Sequence, residues 1–202
     1  MIARTLSALI GLALLSGCID VLPGSGPAAK LYSLSPKSTF SDSLPTVDWQ
    51  LVVELPISSE TLNTPRIALS RAALTLDYYG GVRWSERAPV MVQTLLVESF
   101  ENTGRIVAVA RKSTDLRADY VLRTDLREFL AEYSGDGPPV VHVKINAKLI
   151  KMPQRIIIAS FKSERKIQAN GTDLIQVIRA FDRSLGKVLK AIVEWALVAP
   201  DS

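Results

Sequence analysis

The chain has 202 residues, 48% of them hydrophobic and 22% charged, the balance of an ordinary globular protein rather than of a disordered tail or a multi-span membrane protein. Its net charge of +4 is a weak bias, and cations alternate with anions, as in Lys162-Ser163-Glu164-Arg165-Lys166, so no basic stripe marks a nucleic-acid interface. The single cysteine, Cys18, leaves no second thiol for an intramolecular disulfide and no thiolate cluster for a metal.

Residues 1–17 open with a basic start at Arg4, continue through the apolar run Leu6 to Leu15, and end on the small residues Ser16 and Gly17. This three-part layout predicts a secretory signal peptide that is removed, since the apolar run is shorter than the roughly 20 residues of a membrane span. Leu15-Ser16-Gly17-Cys18 resembles the bacterial lipobox, which implies a thioether-linked diacylglycerol on Cys18 and a further acyl chain, such as palmitate, on its new amino group. Two or three acyl chains hold a protein on a membrane where one does so only marginally. The alternative is a free cysteine behind an ordinary signal peptide. Residue 19 is isoleucine, not the aspartate that retains enteric lipoproteins on the inner membrane, so the expected address is the periplasmic face of the outer membrane.

Residues 18–30 read as the lipidated cysteine and a tether, of which the ten residues Asp20 to Ala29, with Pro23, Gly24, Ser25, Gly26 and Pro27, reach at most ~35 Å. Residues 31–199 are then expected to form a single domain around one core. Leu31 to Leu34 predicts a short strand, with a polar loop after it through Pro45. Leu51 to Leu55, Arg66 to Leu69 and Leu74 to Tyr79 predict three more strands, and Gly80-Gly81 a tight turn. From Pro89 to Asn102 the period changes: Val92, Leu95, Leu96 and Phe100 fall at helical spacing, Pro89 suits a first turn and Gly104 a stop. Ile106 to Ala110 returns to a strand.

Tyr120 to Leu130, Val141 to Leu149 and Arg155 to Ile167 alternate apolar and polar residues and predict an antiparallel meander. Leu174, Val177, Ile178, Phe181, Leu185, Val188, Leu189, Ile192 and Trp195 form one apolar stripe of a long closing helix, with Thr172 or Asn170 as its cap. Such a stripe has to lie on the apolar face of the sheet. The expected fold class is therefore α+β, a two-layer domain with a mostly antiparallel sheet, a central helix and a long C-terminal helix packed on one face.

Patterns for chemistry are sparse. His142 is the one histidine, on the expected wet face of a strand with no partner near it in sequence, and it reads as solvated surface rather than as a base. Asp125 and Glu128 read as partners of Arg123 and Arg127, and no spacing suggests a metal or cofactor site. Tyr78, Tyr79, Arg83 and Trp84 concentrate aromatics beside an arginine, which suits either a partner interface or the closure of one end of the core.

Taken in order, the lipobox, the tether, Tyr32 and Leu34, Pro65-Arg66-Ile67, Tyr78-Tyr79, Trp84 to Pro89, Ala118-Asp119-Tyr120-Val121-Leu122 and Trp195 resemble the ABC-type transport auxiliary lipoproteins. That resemblance spans nearly the whole chain after the leader. It implies a non-enzymatic periplasmic component of a lipid-transport system, docking the outer-membrane end of a conduit. The partners it implies are an ABC permease, a substrate-binding protein of the mammalian-cell-entry (MCE) type and further copies of the chain. Two other readings stand beside it. One is an outer-membrane activator of a cell-wall synthase, against which the short tether argues; the other is lipid carriage in a cavity between sheet and closing helix.

Overall fold

The computed structural model describes residues 28–111 and 117–201. Among them nine strands form one sheet and two α-helices pack on it, the α+β class expected from the sequence. The strands are β1 (Lys30–Tyr32), β2 (Val47–Val53), β3 (Ile57–Ser58), β4 (Arg66–Ser70), β5 (Asp77–Trp84), β6 (Ile106–Ala110), β7 (Tyr120–Glu132), β8 (Val140–Lys151) and β9 (Ile156–Gln168). The helices are α1 (Ala88–Glu101) and α2 (Leu174–Val198), with a 3-10 turn at Ala199–Asp201.

β7 organises the sheet. One of its edges pairs antiparallel with β8 along its whole length, from Tyr120 opposite Lys151 to Glu132 opposite Val140, and β8 in turn pairs antiparallel with β9. This is the predicted meander. The other edge of β7 is shared by three short parallel strands laid end to end: Leu51–Val53 of β2 beside Tyr120–Leu122, Ile57–Ser58 beside Asp125–Leu126, and Ala68–Ser70 of β4 beside Leu130–Glu132. Pro56 stands at the joint between β2 and β3 and Pro65 at the joint before β4, where a residue without an N–H interrupts a ladder. β6 extends β2 in parallel, while β5 extends β4 antiparallel and is itself flanked in parallel by β1.

Gly80-Gly81 is not a turn. β5 runs through both glycines, and the chain that Leu74 to Tyr79 was expected to extend starts later, at Asp77, leaving Leu74 in the preceding loop at φ +63°. Between the pairs Ala68 opposite Tyr78 and Arg66 opposite Arg83, two steps of β4 face five of β5, so β5 bulges. Gly81 takes φ +70° there, a conformation that a side chain disfavours.

α1 packs on β2, β6 and α2, and α2 on β8 and β9, so both helices cover the same face. At about 1.5 Å per residue, 25-residue α2 is ~37 Å long, close to the ~40 Å of the β8–β9 hairpin beneath it. Its predicted stripe is the buried one: Val177, Phe181, Leu185, Val188, Leu189 and Ile192 are fully buried. The cap differs from expectation. Asp173, not Thr172 or Asn170, precedes the helix in extended conformation, and its carbonyl rather than its side chain accepts from Gln176 and Val177. The space between sheet and α2 is filled by side chains, among them Trp84, Phe129 and Phe181, whose rings meet at centroid distances of 5.1–5.5 Å. All residues of this main core lie between Leu34 and Ala199.

Gln93 ties α1 to the sheet. Its buried Nε2 donates to the Val53 carbonyl at 2.9 Å, at the end of β2, and lies 3.4 Å from the Arg111 carbonyl beyond β6.

Candidate functional site

The face of the sheet opposite the helices carries the charge. Because strand side chains alternate, β8 turns His142, Lys144, Asn146 and Lys148 to this face, and β9 sets Lys166, Glu164, Lys162 and Ser160 directly across from them. Lys162, Glu164 and Lys166, two residues apart, thus share a face. The alternation was visible in the sequence, where it reads only as interleaved charge.

His142 sits at the centre of this lattice, and the expectation of a solvated surface residue fails. It is 7% exposed, with Nδ1 2.8 Å from Glu132 Oε1 and Nε2 2.8 Å from Glu164 Oε1. The two carboxylates lie 10 and 22 residues away in sequence and reach the ring from the strands on either side of β8. Each is held by cations as well: Lys166 Nζ donates to Glu132 at 3.0 Å, and Glu164 takes Lys162 at 3.0 Å with Lys144 at 3.8 Å. The Lys162 and His142 hydrogen bonds bring the Glu164 carboxyl down to about 2. For Glu132, burial works against ionisation, but hydrogen bonds from Lys166 and His142 outweigh it and hold the carboxyl below its usual range. Both ring nitrogens of His142 are thus engaged by carboxylates of the same sheet, and among the described residues neither faces a cleft where a substrate could sit.

Further along this face, Arg127 pairs with Asp125 at 2.8 Å, as anticipated, whereas Arg123 pairs with Glu54 at 2.8 Å. Glu54 follows β2, and only the parallel placement of β2 beside β7 brings it there. The Glu54 hydrogen bond keeps the Arg123 guanidinium even more firmly protonated than usual. Below these charges a small apolar row, Val52, Val121 and Ile150, is covered by Ala110, Ala118 and Met152.

The segment Tyr78 to Trp84 divides between core and surface. Trp84 is 1% exposed, in edge contact with Phe181, so its ring belongs to the core. The Tyr79 hydroxyl is 2.7 Å from that of Tyr133, and burial together with that bond pushes the Tyr79 phenol well above its ordinary value. Tyr78 donates to the Thr61 carbonyl at 3.0 Å beneath the Arg66 guanidinium, 3.6 Å from its ring centroid, while Arg83 is exposed. The four residues therefore do not form one exposed patch. Cys18 and the preceding Leu15, Ser16 and Gly17 lie outside the described residues.

Shallow clefts of about 280 and 320 Å³ flank the loop after β1. The first contains Asp182, whose carboxylate is already engaged by the Ser35 N–H at 2.7 Å. Among the described residues no group of three or more His, Cys, Asp or Glu could hold a metal, and no helix is long and apolar enough to cross a membrane.

Residues 32–193 match the model of a family described as the ABC-type transport auxiliary lipoprotein component. The crystal structure of a Xanthomonas campestris protein superposes with a TM-score of 0.81 at 31% identity, covering 86% of this chain and 97% of that one. A second crystal structure, of an uncharacterized protein, has a TM-score of 0.64 at 13% identity over 83% of this chain and 97% of that one, a likeness of fold alone. An uncharacterized protein of Bradyrhizobium diazoefficiens is 25% identical over 199 residues, 98% of this chain and 53% of that protein. The chain thus spans about half the length of that relative.

Proposed function

Since this chain belongs to the family of ABC-type transport auxiliary lipoprotein components, we propose that it is a non-catalytic, membrane-anchored accessory of an ABC-driven lipid transporter. Residues 1–17 are its cleaved leader, Cys18 carries the acyl chains, residues 18–30 form the tether and residues 31–199 the auxiliary domain. It stands on the periplasmic face of the outer membrane and docks that end of a conduit fed by an inner-membrane permease and an MCE-type substrate-binding protein, with further copies of itself alongside.

The observation that carries this reading is the family match across residues 32–193. Two features of the molecule support it. The filled interior between sheet and α2 favours a docking role over lipid carriage, and the charged face, with its histidine locked between carboxylates, suits polar contact with a partner better than proton transfer. The ten residues Asp20 to Ala29 of that tether reach ~35 Å and keep the domain near the bilayer, which supports docking there rather than reaching through a cell wall.

The test is crosslinking in cells followed by affinity purification of the full-length protein from membranes and identification of what accompanies it. Recovery of an MCE-type protein with an ABC permease is the expected outcome. Recovery of a cell-wall synthase in their place refutes it.

A further inference from the structure

The charge of this chain is unevenly distributed. From Gly137 to Ser163 there is no aspartate or glutamate, but there are five cations: Lys144, Lys148, Lys151, Arg155 and Lys162. Lys144 and Lys162 are tied to Glu164. Lys148, Lys151 and Arg155, all exposed, form no ion pair with any described residue. These three surround the tip of the β8–β9 hairpin, where Ile156, Ile157 and Ile158 are 58%, 52% and 39% exposed. Ile157 lies opposite Ile150 and continues the covered apolar row Val52, Val121, Ile150 outward into solvent. None of the three belongs to either apolar cluster of the described residues.

The tip also has a defined place. Lys30 pairs with Val82, and β5 and β4 carry that level across to about Glu128 on β7, whereas the tip lies beyond the pair Tyr120 and Lys151. Eight residues of strand separate the two levels by ~25 Å. β1 runs toward the tip, so residues 28 and 29 lie farther still, and the chain enters the domain at the end of the sheet away from the tip.

We propose that the β8–β9 hairpin tip is a docking surface for an anionic lipid bilayer. Ile156 and Ile157 enter the acyl boundary, and Lys148, Lys151 and Arg155 meet the headgroup phosphates. Lys151 is level with Ile156, Arg155 stands in the turn just ahead of it and Lys148 two pairs behind Ile157, so cations ring the bare isoleucines, and their long stems let the charged ends bend back to headgroups while apolar groups sit deeper. A protein partner fits less well, because protein interfaces are enriched in aromatics and depleted in lysine, while each lysine or arginine near an anionic leaflet adds to binding. The contact is separate from acylation of Cys18 and does not depend on the transport reading.

The experiment uses residues 28–202, which hold the main core found among the described residues, and measures co-sedimentation with vesicles of phosphatidylcholine alone or mixed with phosphatidylglycerol. The protein is expected to bind the mixed vesicles, to ignore the neutral ones and to release as salt is raised. The triple variant K148Q/K151Q/R155Q should lower partitioning on mixed vesicles roughly a hundredfold, at about fivefold per cation. I156S/I157S should abolish it with the thermal unfolding midpoint unchanged, since both side chains are exposed. Absence of vesicle binding, equal binding by either variant, or binding to neutral vesicles just as strong overturns the proposal. So does a tip that crosslinks to an acidic protein while failing to bind vesicles.

Discussion

Replacing Trp84 by alanine tests whether the aromatic segment serves the core or the surface. The indole is buried between Phe129 and Phe181, with centroids at 5.5 and 5.1 Å, and no part of the ring is available to a partner without opening the domain. Removing it takes away the transfer free energy of a large aromatic and leaves a cavity, about 3–5 kcal/mol together. The two aromatic contacts, at about 0.5–1.5 kcal/mol each beyond burial, place the loss in the upper part of that range. At about 2–4 °C per kcal/mol for a domain of this size, Tm should fall by roughly 10–20 °C. The neighbouring Arg83→Ala removes an exposed side chain and should change stability by no more than ~0.5 kcal/mol. Urea unfolding followed by far-ultraviolet circular dichroism measures both, free of the signals of Trp49 and Trp195. A loss under ~1 kcal/mol for Trp84→Ala, or an equal loss for Arg83→Ala, would refute the core assignment.

Three further outcomes follow from single contacts. Gln93→Leu keeps the volume but strands the buried Val53 carbonyl, and should cost about 1–3 kcal/mol in the same urea titration. Thr124→Val should be neutral or raise Tm, because the buried Thr124 hydroxyl has no hydrogen-bond partner among the described residues and valine has the same shape; a clear loss of stability would refute this. The third concerns pH. The Glu164 carboxyl is lower in the folded protein, about 2, than its ordinary 4.5, so its contribution is complete above the ordinary value and is lost as pH falls from there toward 2. Glu132 is shifted the same way. The stability gap between wild type and Glu164→Gln should therefore be widest near neutral pH and close in acid, and a gap that grows on acidification would show the sign to be wrong.

The sequence discloses this fold where one strand or helix carries its own periodicity. Val141 to Leu149 alternate strictly, and the stripe from Val177 to Ile192 keeps a helical spacing over many turns, so β8 and α2 can be read locally. Two-residue β3 is too short for any period, and the three parallel pairings along β7 depend on where loops return the chain. Gly80-Gly81 illustrates the limit: a glycine pair signals a turn by itself, yet pairing before and after it, Tyr78 with β4 and Val82 to Trp84 with β1, turns it into a bulge within β5. The setting of His142 is hidden from the sequence for the same reason. The carboxylates that enclose it come from flanking strands, and Glu54 reaches Arg123 only through a parallel neighbour 69 residues away. The hairpin tip, by contrast, was present in the composition as a long stretch without acid, but its exposure and its distance from the entering chain became apparent only with register.

The two edges of β7 differ in how they would pass on a disturbance. Along β8, twelve residue pairs run in two blocks, Tyr120 to Leu126 and Glu128 to Glu132, with one register shift between them, so a slip within either block must shift that whole block and the helix above it. Along the other edge, β2, β3 and β4 are separate tiles with slack between them, and one can change its alignment or accept an inserted residue while the others stay in place. The domain is thus a stiff plate, β7 with β8, β9 and α2, joined to an articulated border. Variation in length within such a chain should gather at the joints near Pro56 and Pro65 and spare the plate.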